Sequence, residues 1–102
     1  MKKNNIMIIY MEVYQKKAEK IGVTIRPSKN KDKKFDAFKD GVFQNSFGGA
    51  GYKDFESYKK EDGITVANKR RELYKKRHDD TRKIKFRDGK LTASYLSDKI
   101  LW

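Results

Sequence analysis

A chain of 102 residues is one domain's worth, and 36% hydrophobic with 13% aromatic residues can close a modest core even though 39% are charged. The formal charge of +12, from 26 basic against 14 acidic residues, favours polyanionic partners such as nucleic acid, an acidic protein face or an anionic surface. There is no cysteine, which excludes disulfides and thiolate metal sites.

The opening residues, MKKNNIMIIYMEV, set two lysines before an apolar run as a signal peptide does. The run is short, contains Glu12 and lacks a small-residue cleavage site. No stretch approaches the ~20 apolar residues of a bilayer span. A soluble chain without membrane contact is expected. Ile6 to Ile21 reads as a helix with an apolar arc of Ile6, Tyr10, Val13, Tyr14 and Ile21, ended by Gly22 in the left-handed conformation. Ile8 and Ile9 fall off that arc, so Ile6 to Met11 also fits the start of a strand. Val23-Thr24-Ile25 alternates like a strand that Pro27 stops or sets at an edge.

The polar loop SKNKDKK leads to two β-prone runs, Lys34 to Lys39 and Val42 to Phe47, on either side of Asp40-Gly41. An Asp-Gly pair in that position is the strongest short signal of a hairpin, because both central residues need positive φ. Alternation puts Phe35 and Ala37 on one face of the first strand, and Phe43 and Phe47 on one face of the second. Asp54 can cap a short helix through Lys60. Glu61-Asp62-Gly63 breaks it, and Thr65 offers the N-cap of a helix reaching about His78. Asp79 to Gly89 reads as a charged link before a last helix that starts near Thr92. No internal repeat divides the chain.

The expected fold is α+β. It is a single small domain, 1–102, with a helix in 1–21, strands and a hairpin in 23–47, and helices in 54–102. An antiparallel hairpin or short sheet is packed by two to four helices.

Chemistry has few candidates. The turn Gly48-Gly49-Ala50-Gly51 lacks the Gly-Lys-Ser/Thr ending of a P-loop and the spacing of a dinucleotide fingerprint. Asp54 just downstream repels an anion, so the turn reads as glycine backbone geometry. His78 is the sole histidine. Its neighbours Asp79 and Asp80 do not face it on a helix, and a place at the helix C-terminus suits it through the dipole. Asp32 and Asp36 are scattered carboxylates with no second histidine. No catalytic residue, metal ligand or cofactor is expected.

The basic helix says more. At 100° per residue, Val66, Leu73, Arg77, Arg70, Tyr74 and Ala67 share one arc, so two arginines fall inside the stripe that should face the core. Arg70 and Arg77 can pair with acids such as Asp54 or Asp62, lie along aromatic rings, or grip a partner's phosphates or carboxylates. From Lys69 to Arg87 there are ten basic and three acidic residues. The ten are Lys69, Arg70, Arg71, Lys75, Lys76, Arg77, Arg82, Lys83, Lys85 and Arg87, and they form the candidate contact with nucleic acid or an acidic partner. Tyr74 and Phe86 lie among them, either as stacking partners for bases or, the preferred reading in so small a core, as core residues. No helix-turn-helix, zinc-finger or RNA-binding signature is present, so any nucleic-acid contact is with the backbone. The segment KLTASYLSDKILW is apolar on two sides if helical. Ala93, Leu96 and Ile100 form one face, with Leu91, Tyr95 and Trp102 opposite. Either the segment is sandwiched in the fold or one face, anchored by Tyr95 and Trp102, meets another subunit.

From Lys31 on, the order is KDKKFDAF, an Asp-Gly hairpin, FGGAGYKDFESYKK, KRRELYKKRH and LSDKILW. In this order the chain resembles a family of small basic proteins of unknown function encoded by tailed bacteriophages and giant DNA viruses. The matching positions are Phe47, Gly48, Gly51, Asp54, Phe55, Tyr58, Lys59, Lys69, Arg70, Tyr74, Arg77 and His78, within about 70 residues. The C-terminal segment is less aromatic than the family pattern, and the helix of Ile6 to Ile21 has no counterpart in it. The resemblance implies a viral protein, from a family with no known catalytic activity. It would be a virion-associated structural or minor capsid component, located in the virion or host cytoplasm, whose partners are capsid or other virion proteins, with the nucleic acid of the packaged genome as a further candidate. The rival expectation is a free nucleic-acid-binding protein.

Overall fold

A computed structural model of the chain describes the backbone of residues 2–102 and the side chains of residues 11–102. Helix α1 spans Lys2–Lys20, so Ile6 to Met11 is helical rather than the start of a strand. Ile6 and Tyr10 of the expected arc lie outside the described side chains. Within them, Tyr14 and Ala18 are buried and Met11 and Ile21 pack beside them, the i, i+3/i+4 spacing of one helix face. Gly22 follows with φ 75°, the left-handed terminator that the sequence implies.

Strands β1 (Thr24–Pro27), β2 (Lys33–Lys39) and β3 (Val42–Gly49) form an antiparallel sheet in that order. Pro27 sits at the end of the edge strand, paired with Phe35, where its missing N–H costs least. Asp40 and Gly41 take φ 50° and 79° between β2 and β3, the pair of left-handed residues that a two-residue hairpin needs. A β-bulge then changes the register. Ala37 faces Asn45 but Phe38 faces Phe43, so Gln44 is the extra residue. The bulge overturns the expectation that Phe43 and Phe47 share a face. Phe47 is fully buried against Phe35, whereas Phe43 is 40% exposed and packs edge-on against Phe38.

The sheet's other face holds a buried acid. Asp36 accepts hydrogen bonds from the Ser28 and Ser46 hydroxyls, both at 2.6 Å, and from the Lys29 amide at 3.3 Å. Burial alone would push this carboxyl up, but those hydrogen bonds, with the Lys29 charge, hold it below its ordinary 3.8. The folded state therefore binds the Asp36 proton more weakly than the unfolded chain does. Its contribution is complete above the ordinary carboxylate value and is lost as pH falls through the depressed one. Asp36→Asn is expected to flatten the acid limb of stability below about pH 4. Urea midpoints measured from neutral pH downward check this, and an acid limb unchanged by the substitution would assign it to other carboxylates.

Helices α2 (Phe55–Asp62) and α3 (Ile64–Arg77) are joined by the single residue Gly63, at φ 91°, and pack together through contacts such as Arg71 on Phe55. Asp54 caps α2 in a reciprocal capping box with Ser57, as the sequence implies. The N-cap of α3 is Gly63 rather than Thr65, and it supplies no side-chain hydrogen bond.

The link from Asp79 is not wholly irregular, which corrects the helical assignment of 54–102. Strands β4 (Phe86–Arg87) and β5 (Lys90–Leu91) form a second hairpin around Asp88 (φ 53°) and Gly89 (φ 77°). Thr92 then caps α4 (Ala93–Leu96), which widens into a π-helical turn, Ser97–Leu101, closed by the Trp102 amide on the Ser97 carbonyl. This segment is sandwiched in the fold: Leu91, Leu96, Ile100 and Leu101 all enter the core with Tyr14, Ala18, Ile25, Phe35, Ala37 and Phe47. The adjacent residues Ile100 and Leu101 of this turn are both buried.

Candidate functional site

The inward face of α3 is Ala67, Arg71, Tyr74, Lys75 and His78, each buried or half-buried. It is turned from the arc expected from sequence. Val66, Arg70, Leu73 and Arg77 are exposed, so Arg70 and Arg77 do not lie in the core stripe. Arg71 does, with its guanidinium 3.4 Å from the Phe55 ring centroid. Its Nε is buried and finds no hydrogen-bond partner among the described residues. Aromatic Phe55 on α2 thus accommodates a cation where an aliphatic residue would ordinarily face a core.

Two other members of the basic run are structural. Lys75 donates to the buried Asp98 at 2.8 Å, and Arg82 reaches Asp98 at 3.9 Å, Asp79 at 2.9 Å and the Lys75 carbonyl at 3.2 Å. Lys83 pairs with Asp79 at 3.1 Å, the contact that, with Arg82, holds this acid below its ordinary range. Lys85 lies over the rings of Phe86 and Tyr95, and Arg87 lines a separate hollow beside Asn45 and Thr92. The ten expected residues are therefore not one surface.

Four of them, Lys69, Arg70, Lys76 and Arg77, all exposed, are grouped on the outward ridge of α3. The two pairs are two helical turns apart, about 10 Å along the axis. Lys69 has only a long, exposed contact with Glu72 at 3.8 Å. Arg70 and Arg77 form no ion pair with a described residue, and neither meets Asp54 or Asp62.

Beneath this ridge lies a cleft of about 510 Å³ between α2, α3, the glycine turn and the C-terminus. Arg70 and Arg77 line it from α3 and Lys34 and Lys53 from β2 and the residues after the glycine turn, together with Tyr52, Tyr58, Tyr74 and Trp102. Trp102 stacks on Tyr74 at 4.6 Å with the rings 10° from parallel, and Tyr58 lies 6.2 Å from Trp102. Arg70 covers Tyr58 at 5.2 Å. Burial, assisted by the Asp98 charge, pushes the Tyr74 phenol above its usual value, so it stays neutral. Lys53 is poised at the rim, shared between Glu61 at 3.5 Å and Asp62 at 3.4 Å. Slight desolvation would lower its pKa, but these two acids raise it.

The floor of the cleft explains the glycines. A Cβ on Gly48 would lie 2.8 Å from Leu101 Cδ1 and 3.2 Å from Lys34, at φ 78°. The backbone must pass that close so that Lys34 can reach Asp54 at 2.9 Å. Asp54, 2% exposed, also accepts from Tyr14 at 2.8 and 2.9 Å and from the Ser57 amide at 3.2 Å. This acid is consumed by structure and is not available to catalysis.

Sequence reasoning missed Lys34, Tyr52 and Lys53 as cleft residues, because it followed the charge run of 69–87. The available signal was Tyr52-Lys53 directly after a glycine turn. His78 is the C-cap of α3 and lies against Tyr74, 4.5 Å between ring centroids. Among the described residues no group of His, Asp or Glu is arranged to hold a metal, and no helix is long and apolar enough to cross a membrane. Tyr95 is half-buried beside the core, and Trp102 is engaged in the stack above. Comparison with protein-family models, curated proteins and solved structures returned no match.

Proposed function

We propose that this is a non-enzymatic protein that grips the phosphate backbone of nucleic acid, without reading sequence, through the ridge of α3 and the cleft beneath it. The observation that carries the reading is the set of exposed cations on that ridge, in which Arg70 and Arg77 have no ion-pair partner among the described residues beside an aromatic cleft. Side chains that only solvate a helix do not need two guanidinium groups converging on one hollow, whereas phosphate recognition uses guanidinium forks of this kind. The setting implied by the resemblance is a viral particle, in which packaged genome is the polyanion and capsid or other virion proteins are neighbours.

The test is binding of a labelled duplex by fluorescence anisotropy across a salt series. About six phosphate contacts give a log-affinity slope near −5 against log salt. Arg70→Ala with Arg77→Ala is expected to weaken binding uniformly across sequences and to make the slope shallower by about 2. Both residues are exposed and lose only the contacts of Arg70 with Tyr58 and of Arg77 with His78, so the melting midpoint should fall by no more than the worth of about 1 kcal/mol. A slope near zero, or an unaltered slope in the double variant, rejects the assignment. Mass spectrometry of purified particles distinguishes a virion component, present in fixed stoichiometry, from a free nucleic-acid-binding protein, which is absent from them.

A further inference from the structure

The two hairpins are clasped together away from the cleft. The Leu91 amide donates to Gln44 Oε1 at 3.0 Å, and the Leu91 carbonyl accepts from Asn45 Nδ2 at 2.7 Å. Gln44 is the extra residue of the bulge, so the irregularity in β3 is what receives β5. The clasp has a consequence at the surface. Lys39, on the first hairpin, reaches over the Phe86 ring of the second at 5.5 Å. Lys90, on the second, reaches over Phe43 of the first at 5.8 Å. Lys85 adds a further ammonium 5.5 Å from Phe86.

Phe43 and Phe86 are 40% and 48% exposed. These two exposed rings lie on hairpins joined by the clasp, each beside a cation of the other hairpin, so they offer apolar faces next to positive charge. Lys39, Lys85, Arg87 and Lys90 form no ion pair with a described residue, so their charge is available. A second copy of the chain does not suit the surface, since each copy carries +12. The partner must combine anionic groups with flat apolar faces a few ångströms away, and unpaired nucleotides do so. A base lies on the ring while its phosphate meets the ammonium that otherwise covers it.

We propose that Phe43 and Phe86 form a stacking platform for the bases of single-stranded nucleic acid, with Lys39, Lys85 and Lys90 holding its phosphates. The proposal rests on the backbone-binding reading above for its polyanion but uses a separate surface and adds a preference for unpaired strand. The test compares four probes against the full chain: oligothymidine of about 20 nucleotides, the same strand without bases, a duplex of equal length, and vesicles containing phosphatidylserine. Wild-type protein is expected to bind oligothymidine at least about tenfold more tightly than the abasic strand. Phe43→Ala with Phe86→Ala should remove that preference and leave duplex affinity and its salt slope intact.

Equal affinity of wild type for the base-bearing and abasic strands overturns the platform, whatever any variant does. Loss of vesicle binding in the double variant, with strand binding unchanged, assigns the patch to a membrane surface and also overturns it. If the chain binds duplex as proposed but shows no preference for bases, only the platform fails. If it binds neither strand nor duplex, both readings fail.

Discussion

Asp54→Ala should cost the fold about 3–5 kcal/mol, the typical consequence of removing one partner from a buried ion pair. Total stability for a chain of this length is about 5–15 kcal/mol. The variant is therefore expected to unfold in milder denaturant, with its urea midpoint reduced by about a fifth or more. The reason is convergence. One carboxylate receives the Tyr14 hydroxyl from α1, the Lys34 ammonium from β2 and the Ser57 amide at the head of α2. Deleting it leaves an ammonium and a phenol without their acceptor and removes the cap of α2, itself worth about 1 kcal/mol. Circular dichroism through a urea titration measures the loss. Combining Asp54→Asn with Lys34→Met should recover part of it, because the stranded charge is then gone. A midpoint unmoved by Asp54→Ala would show that solvent already screens this cluster.

Gly48→Val is the second large effect, at about 2–5 kcal/mol. A β-branched residue at φ 78° strains the backbone, and its side chain would overlap Leu101 and the stem of Lys34. The two neighbours cannot both give way, because Leu101 is core and Lys34 is held by Asp54. Thermal melting should show a lower midpoint, while Gly51→Ala, where a Cβ meets open space, loses only the cost of its positive φ. Equal losses at the two positions would mean that backbone strain alone, rather than close approach, fixes Gly48.

What the sequence made legible was punctuation. Gly22, Asp40-Gly41 and Asp54 each act through a local preference that any tertiary setting must respect, and each stands where expected. The second hairpin carried the same Asp88-Gly89 signal but sat among charges without long β-prone runs on either side, so charge masked it. The bulge at Gln44 had no local mark: it exists because Leu91, 47 residues away, needs an acceptor for its amide. The phase of α3 was misjudged for a related reason. Ranking side chains by hydropathy puts Arg70 beside Leu73. The structure instead chooses Arg71, whose guanidinium can lie on Phe55. Likewise Phe86, assigned to the core by its chemistry, is surface, and Lys34 and Lys53 enter the cleft only through the path of the glycine turn. Long-range partners decide such positions, and a local pattern contains no information about them.

The clasp between Gln44 and Leu91 also bears on how the chain folds. Leu91, Leu96, Ile100 and Leu101 supply one side of the core into which Tyr14, Phe35 and Phe47 are buried. The earlier elements cover those apolar side chains only in part, through contacts such as Tyr14 with Phe35, and residues 91–101 complete the cover. Pairings that span 40 residues or more, such as Tyr14 with Asp54 and Asn45 with Leu91, tie these parts together. Non-local contacts of this kind slow folding, because the chain between them must be ordered before they reward it.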